Sequence, residues 1–180
     1  MTQALCPGTF DPFTYGHLDM VRQCLTFADV VVIGIAQNSK KTPLLSLPKR
    51  IELAQTTIRE AKLDTRVNVE IVDGLLADFC KEHHIDVIAK GLRTSQDFDY
   101  ENPMSQMNRQ IGAPPTVFVG CKPALIHVSS SMVKEVASYG ADVYSMVCAD
   151  TAQALYEAYQ VRPPNRDNNV IAARFDKYNS

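Results

Sequence analysis

Four short segments of this chain carry side chains suited to gripping phosphate. The first, PGTFDPFTYGH at 7–17, joins Gly8 and Thr9 to Gly16 and His17. Glycine at position 8 permits unusual backbone angles or a close approach of phosphate to the main chain. Thr9 adds a hydroxyl and an N–H. Gly16 and His17 open a helix, whose first N–H groups are free and partly positive, and a histidine there can donate to a phosphate oxygen. The second, NSKKTPLL at 38–45, puts Lys40 and Lys41 on a loop. The third, KGLRTSQDFDYE at 90–101, sets Lys90 and Arg93 on either side of Gly91-Leu92. Arginine supplies a rigid fork for phosphate, while Asp97, Asp99 and Glu101 suit a helix N-terminus. The fourth, HVSSSMVKE at 127–135, leads three serines into a helix, with Ser129 or Ser130 the expected N-cap.

Each feature alone has a plainer reading. A histidine near a helix start more often caps it, adjacent lysines are more often solvated, and one serine is explained by capping. Their position along the chain changes the weighing, because each segment follows a strand or opens a helix. The strands expected are 2–6, 29–36, 66–72, 86–90 and 116–120, rich in Val and Ile and nearly continuous in apolar character. That is how strands buried on both faces of a parallel sheet read. Between and after them, helices are expected at 16–27, 47–62, 75–84, 98–111, 129–139 and 150–160. Leu18, Val21 and Leu25 share one face of the first, and Leu47, Ile51, Ala54 and Ile58 one face of the second. The alternation predicts an α/β fold: a Rossmann-like, doubly wound, parallel five-stranded sheet with helices on both faces. Such sheets bind ligands beyond the carboxyl ends of their strands. Residues 1–161 are expected to form a single domain, and 162–180, with its prolines, asparagines and scattered charge, a loosely packed or disordered tail.

Composition narrows the partners. The net charge of −2 gives no bulk positive field for nucleic acid, so an anionic ligand must be held by a few placed groups. No apolar run approaches the ~20 residues of a membrane span, and MTQALCPG has neither the basic start nor the long apolar stretch of a signal peptide. Five scattered cysteines without a CxxC pair argue against a disulfide framework or zinc site, and fit a reducing cytoplasm with the thiols as small core residues. Neither GxGxxG nor GxxxxGK[ST] occurs, which excludes the usual dinucleotide site and the P-loop; GxSxG and metal-ligand spacings are also missing. What is left is a set of cations and helix starts converging on a polyphosphate.

PGTFDPFTYGH, GLRTSQDFDYE, MNR at 107–109 and VSSSMVKEV at 128–136, in this order and spacing, resemble the bacterial phosphopantetheine adenylyltransferases. These belong to the nucleotidyltransferase superfamily marked by [T/H]-x-G-H, here Thr14-Tyr15-Gly16-His17, and the resemblance covers roughly residues 2–160. It implies transfer of AMP from ATP to 4'-phosphopantetheine, giving dephospho-CoA and pyrophosphate, the penultimate step of coenzyme A synthesis, with Mg²⁺ as cofactor and no metal ligand from protein side chains. It implies direct in-line attack, with His17, Lys41 and Arg93 catalytic: His17 stabilising charge on the α-phosphate and Lys41 orienting the nucleophilic phosphate. Thr9 and Phe10 would meet the nucleotide and incoming phosphate. Leu76 would line the pantetheine arm, Lys90 would contact that substrate, and Asn108 would line the site. Gly91, Leu92, Arg93 and Glu101 would hold ATP. Leu125, Ile126, His127, Val128, Ser129, Ser130 and Ser131 would take its β- and γ-phosphates. A homohexamer built as a dimer of trimers and feedback binding of CoA are implied as well.

The chain departs from the family pattern in four places. Lys90 stands where arginine is usual, losing the bidentate fork. Pro103 falls inside an expected helix and predicts a kink or an early stop. APP at 113–115 replaces an acidic approach to the fifth strand, and the tail is longer than usual. Two alternatives remain open at this point: a sister enzyme transferring a nucleotidyl group to nicotinate mononucleotide or an alcohol phosphate, and a non-catalytic relative that binds CoA or nucleotide.

Overall fold

The computed structural model describes residues 1–37 and 42–165. Five strands form one sheet: β1 (Gln3–Gly8), β2 (Val30–Ala36), β3 (Val67–Val72), β4 (Val87–Leu92) and β5 (Thr116–Gly120). Its order is β3-β2-β1-β4-β5, and every pairing is parallel. Parallel neighbours need crossovers, which are supplied by α1 (Tyr15–Cys24), α2 (Leu47–Glu60), α3 (Leu76–Glu82) and α4 (Ser95–Gln110). The helices α5 (Ser130–Ser138) and α6 (Ala149–Tyr159) follow the sheet.

Because side chains alternate across a strand, the central strands feed two cores. Ala4, Cys6, Val31, Ile33 and Ile35 pack with Leu18 and Val21 of α1, Leu53 and Ile58 of α2, Val133 of α5 and Leu155 of α6. On the other face, Leu5, Val32 and Ile88 pack with Ala77, Phe79 and Cys80 of α3. The sheet is therefore covered on both faces, as the nearly unbroken apolar strands require. The strand order reverses between β1 and β4, which places the expected binding crevice at the carboxyl ends of these two strands.

The expected elements recur within a few residues, with two instructive differences. The helix expected at 98–111 starts earlier, at Ser95. Thr94 accepts from the Asp97 N–H, and Asp97 returns a carboxylate to the Thr94 N–H, so a reciprocal cap adds a turn. The early stop anticipated at Pro103 does not occur, since α4 continues to Gln110. Proline removes the N–H that would serve the Asp99 carbonyl, but Asp99 is exposed and water can take its place. All five cysteines are free, four of them buried. Residues 161–165 have no regular structure, and the rest of the expected tail lies outside the described residues.

Candidate active site

A cavity of about 1070 Å³ opens at the carboxyl ends of β1 and β4. The loop after β1 forms its floor. A Cβ at Gly8 would stand 2.9 Å from the Phe10 ring, so glycine is needed there for that ring to fold back. Phe10 holds a left-handed backbone (φ 49°), an unusual conformation for a bulky residue. Its ring meets the His17 imidazole edge-on at 5.0 Å, and Phe13 lies 5.4 Å from the same imidazole.

Thr14 is the N-cap of α1 and His17 its third residue. The Thr14 hydroxyl accepts from the His17 N–H at 3.4 Å, and the Thr14 N–H donates to His17 Nδ1 at 3.0 Å. An Nδ1 that accepts a hydrogen bond leaves the ring proton on Nε2. Burial, reinforced by the Arg93 charge, pushes the His17 pKa down to about 4. His17 is thus a neutral imidazole near pH 7, oriented by its own helix cap, with its Nε2–H left to donate.

Two buried charges hold this loop in place. Asp11, 5 % exposed, accepts from the Leu44 and Leu45 N–H groups at 2.9 Å each and from Lys134 Nζ at 2.6 Å. Arg50, 3 % exposed, donates to the carbonyls of Thr9 at 2.6 Å, Leu45 at 3.2 Å and Ala36 at 3.3 Å. One guanidinium thereby ties the first loop, the end of β2 and the approach to α2. Opposite, Ser129 caps α5 by accepting from the Met132 N–H at 3.2 Å. The Ser130 hydroxyl donates to the Pro12 carbonyl at 2.8 Å.

The cations at the end of β4 and just after it are paired within the cavity wall. Lys90 Nζ sits 3.2 Å from Glu101 and 3.4 Å from the Pro7 carbonyl. Arg93 donates to Asp97 through Nε at 3.2 Å and Nη2 at 3.1 Å. Burial alone would raise the Asp97 carboxyl, but hydrogen bonds from Arg93 and its charge hold it below the usual range.

Thr9, Phe10, His17, Leu76, Lys90, Gly91, Arg93, Glu101 and Asn108 all line the cavity, as do Val128, Ser129, Ser130 and Ser131. Leu92, Leu125, Ile126 and His127 do not. Leu125 is buried in the core, and Ile126 and His127 are exposed away from the lining. Lys41 lies outside the described residues. Sequence reasoning missed Asp19, Gln37, Asp73 and Tyr100 in the lining, Asp19 being buried, and the buried charges Asp11 and Arg50 behind it. Gln37 and Asp73 directly follow β2 and β3, so the rule that ligands gather at strand ends already pointed to them.

Comparison with known proteins agrees with this arrangement. A profile described as cytidylyltransferase-like matches residues 5–136. A phosphopantetheine adenylyltransferase of Streptomyces coelicolor is 41% identical over 162 residues, covering 90% of this chain and all of that protein. The chain belongs to the phosphopantetheine adenylyltransferase family. A family member from Thermotoga neapolitana is 40% identical over 155 residues, covering 86% of this chain and 94% of its own length. Among solved structures, a nicotinic acid mononucleotide adenylyltransferase of Plasmodium falciparum superposes with a TM-score of 0.65 at 14% identity, over 89% of this chain and 98% of that one. That likeness speaks for the shared fold alone. Membership makes the chain a nucleotidyltransferase; of Thr14-Tyr15-Gly16-His17, Gly16 and His17 line the cavity and Thr14 caps the helix that carries them.

Proposed function

We propose that the chain transfers AMP from ATP to 4'-phosphopantetheine, releasing pyrophosphate and forming dephospho-CoA. The observation that carries this reading is the neutral His17, its Nδ1 held by the Thr14 N–H at the floor of a cavity whose walls offer Lys90, Arg93 and the start of α5. An oxygen of the substrate phosphate attacks the α-phosphorus of ATP, a P–O bond forms, and the bond to the β-phosphate oxygen breaks. No protein nucleophile is required. Catalysis then consists of positioning and of donors aimed where negative charge grows.

In this reading His17 Nε2–H donates to an α-phosphate oxygen. A neutral donor suits the role, because its proton stays bound throughout. The free N–H groups of α5, beginning beside Ser129, receive the β- and γ-phosphates. Arg93 turns its fork from Asp97 to the nucleotide, and Lys90 meets the pantetheine substrate. Thr9 and Lys41 guide the incoming phosphate. Among the described residues, no group of three His, Cys, Asp or Glu side chains could hold a metal ion. A Mg²⁺ bound with the triphosphate would supply charge neutralisation on the leaving pyrophosphate.

A homohexamer belongs to this proposal. Supporting it, Met107 of α4 and Ile111 at its C-cap, one turn apart and outside the cavity lining, are 58 % and 46 % exposed. CoA shares its adenylyl and pantetheine parts with the product and would bind the same cavity as a feedback ligand. A cytoplasmic site of action fits the free thiols and the lack, among the described residues, of a helix long and apolar enough to cross a membrane.

The test is pyrophosphate release from ATP and Mg²⁺, with 4'-phosphopantetheine or nicotinate mononucleotide as acceptor. Release with phosphopantetheine alone is the expected result. Release with the mononucleotide would overturn the acceptor, and release with neither, while CoA still raises the melting temperature, would make the chain a binding protein.

A further inference from the structure

We infer that Lys134, a residue outside the cavity, is a positioning residue for this reaction: with Ser130 it fastens the start of α5 to the loop that leads into α1 and His17, and so sets the spacing between the groups facing the α-phosphate and those facing the β- and γ-phosphates. This rests on the adenylyl-transfer reading above. Ser130 and Lys134 stand four residues apart, on one face of α5. They grip consecutive residues of the first loop: Ser130 Oγ donates to the Pro12 carbonyl at 2.8 Å, and Lys134 Nζ to the Asp11 carboxylate at 2.6 Å. The rest of the contact between α5 and the core is apolar, through Val133 and Ala137. Apolar packing is non-directional and leaves the helix free to slide by fractions of an ångström. Two polar contacts one turn apart remove that freedom.

Asp11 is a firm anchor. Burial alone would raise its carboxyl, but hydrogen bonds from Lys134, Leu45 and Leu44 outweigh burial and hold it below the usual range. It stays ionised, and Lys134 is the only cation within ion-pair distance of it among the described residues. The Lys134 side chain does not line the cavity, so its effect on ligand must pass through the loop.

The experiment compares two ligands by calorimetry on the full chain. ATP spans both groups, whereas dephospho-CoA carries the α-phosphate but has no group for the site of the γ-phosphate. Lys134→Met is expected to weaken ATP about tenfold and dephospho-CoA less than about twofold, the scale on which small misplacements act. Lys134→Arg, which keeps the charge, should restore ATP to within about threefold of the parent chain. In an Asp11→Asn background, Lys134→Met should add less than about twofold, because both changes cut the same contact. If Lys134→Met does not fold, Lys134→Gln retains a donor and must show the same ATP-selective loss at smaller size. Equal weakening of both ligands, unchanged ATP affinity, or losses that multiply independently of Asp11 would overturn the proposal. A parent chain that binds ATP yet releases no pyrophosphate counts against the activity instead, and the ratio of the two affinities still reads the seam.

Discussion

The two walls of the cavity are built by different means. On the side of β1, buried charges and caps fix the backbone: Asp11 and Arg50 are almost wholly enclosed, and between them they bind the main chain at Thr9, Ala36, Leu44 and Leu45. On the side of β4, the polar groups pair with each other and remain partly in water. Lys90 and Glu101 keep 22 % and 24 % of their side-chain exposure, and Arg93 keeps 37 %. Removing a partner from the first wall leaves a buried polar group unsatisfied. Removing one from the second leaves a group that water can reach. The first wall therefore sets geometry in advance, which is what stabilising a transient charge requires. The second can exchange an internal carboxylate for a ligand phosphate without disturbing the fold.

The sharpest way to break this contrast is at His17, where the fixed wall meets the chemistry. His17→Ala should lower turnover by about 10²–10³, as losing one placed donor does, while steady-state rates separate that loss from any change in KM. Near-normal turnover would remove His17 from the reaction. Next in size is Arg50→Met. Three carbonyls lose a charged donor inside the protein, so urea unfolding should report a loss of about 3 kcal/mol or more. A loss below about 1 kcal/mol would mean that the first wall is no firmer than the second.

His17 also gives the first wall a pH signature. Unfolded, the ring takes a proton near pH 6.5; folded, burial delays this to about 4. Between these values the unfolded ring binds more protons than the folded one, so the contribution of His17 to folding stability falls as pH drops from 6.5 towards 4. Above 6.5 the imidazole is neutral in both states and contributes no slope. His17→Gln should flatten this part of the stability profile, and an NMR titration should place the ring's midpoint near 4. A midpoint near 6.5 would mean that the cap and burial do not hold the ring neutral.

Much of the fold could be read from residue pattern because the pattern and its cause coincide. VVVIGIA at 30–36 is apolar on both faces because helices cover both faces. The cavity was legible through strand ends, and the [T/H]-x-G-H segment through its likeness to a family. Asp11 and Arg50 were not legible. An aspartate between Phe and Pro, or an arginine in KRIEL, looks like any solvated charge, and only tertiary contact puts Asp11 beside Lys134, 123 positions away. Leu125, Ile126 and His127 lie outside the lining for a related reason. They adjoin the serines in sequence, but a 3₁₀ turn at Pro123–Leu125 directs Leu125 to the core while Val128 reaches the lining. Pro103 misled because proline ends helices where its lost hydrogen bond is buried, and the outer face of α4 is exposed.

The smallest effect expected lies in the second wall. Glu101→Gln removes one charge of the Lys90 pair but keeps the shape and a carbonyl that can accept from Lys90 Nζ. Both partners reach solvent, so the pair is worth little to folding, and urea unfolding should change by less than about 1 kcal/mol. The same substitution frees Lys90 from a competing carboxylate 3.2 Å away. If Lys90 meets the pantetheine substrate, its affinity for the substrate phosphate should hold or rise slightly. If Glu101 itself holds the nucleotide, the KM for ATP should rise instead while that for phosphopantetheine stays level. A stability loss of several kcal/mol would remove the contrast itself, because it would show that the wall beside β4 is as tightly bound into the fold as the one beside β1.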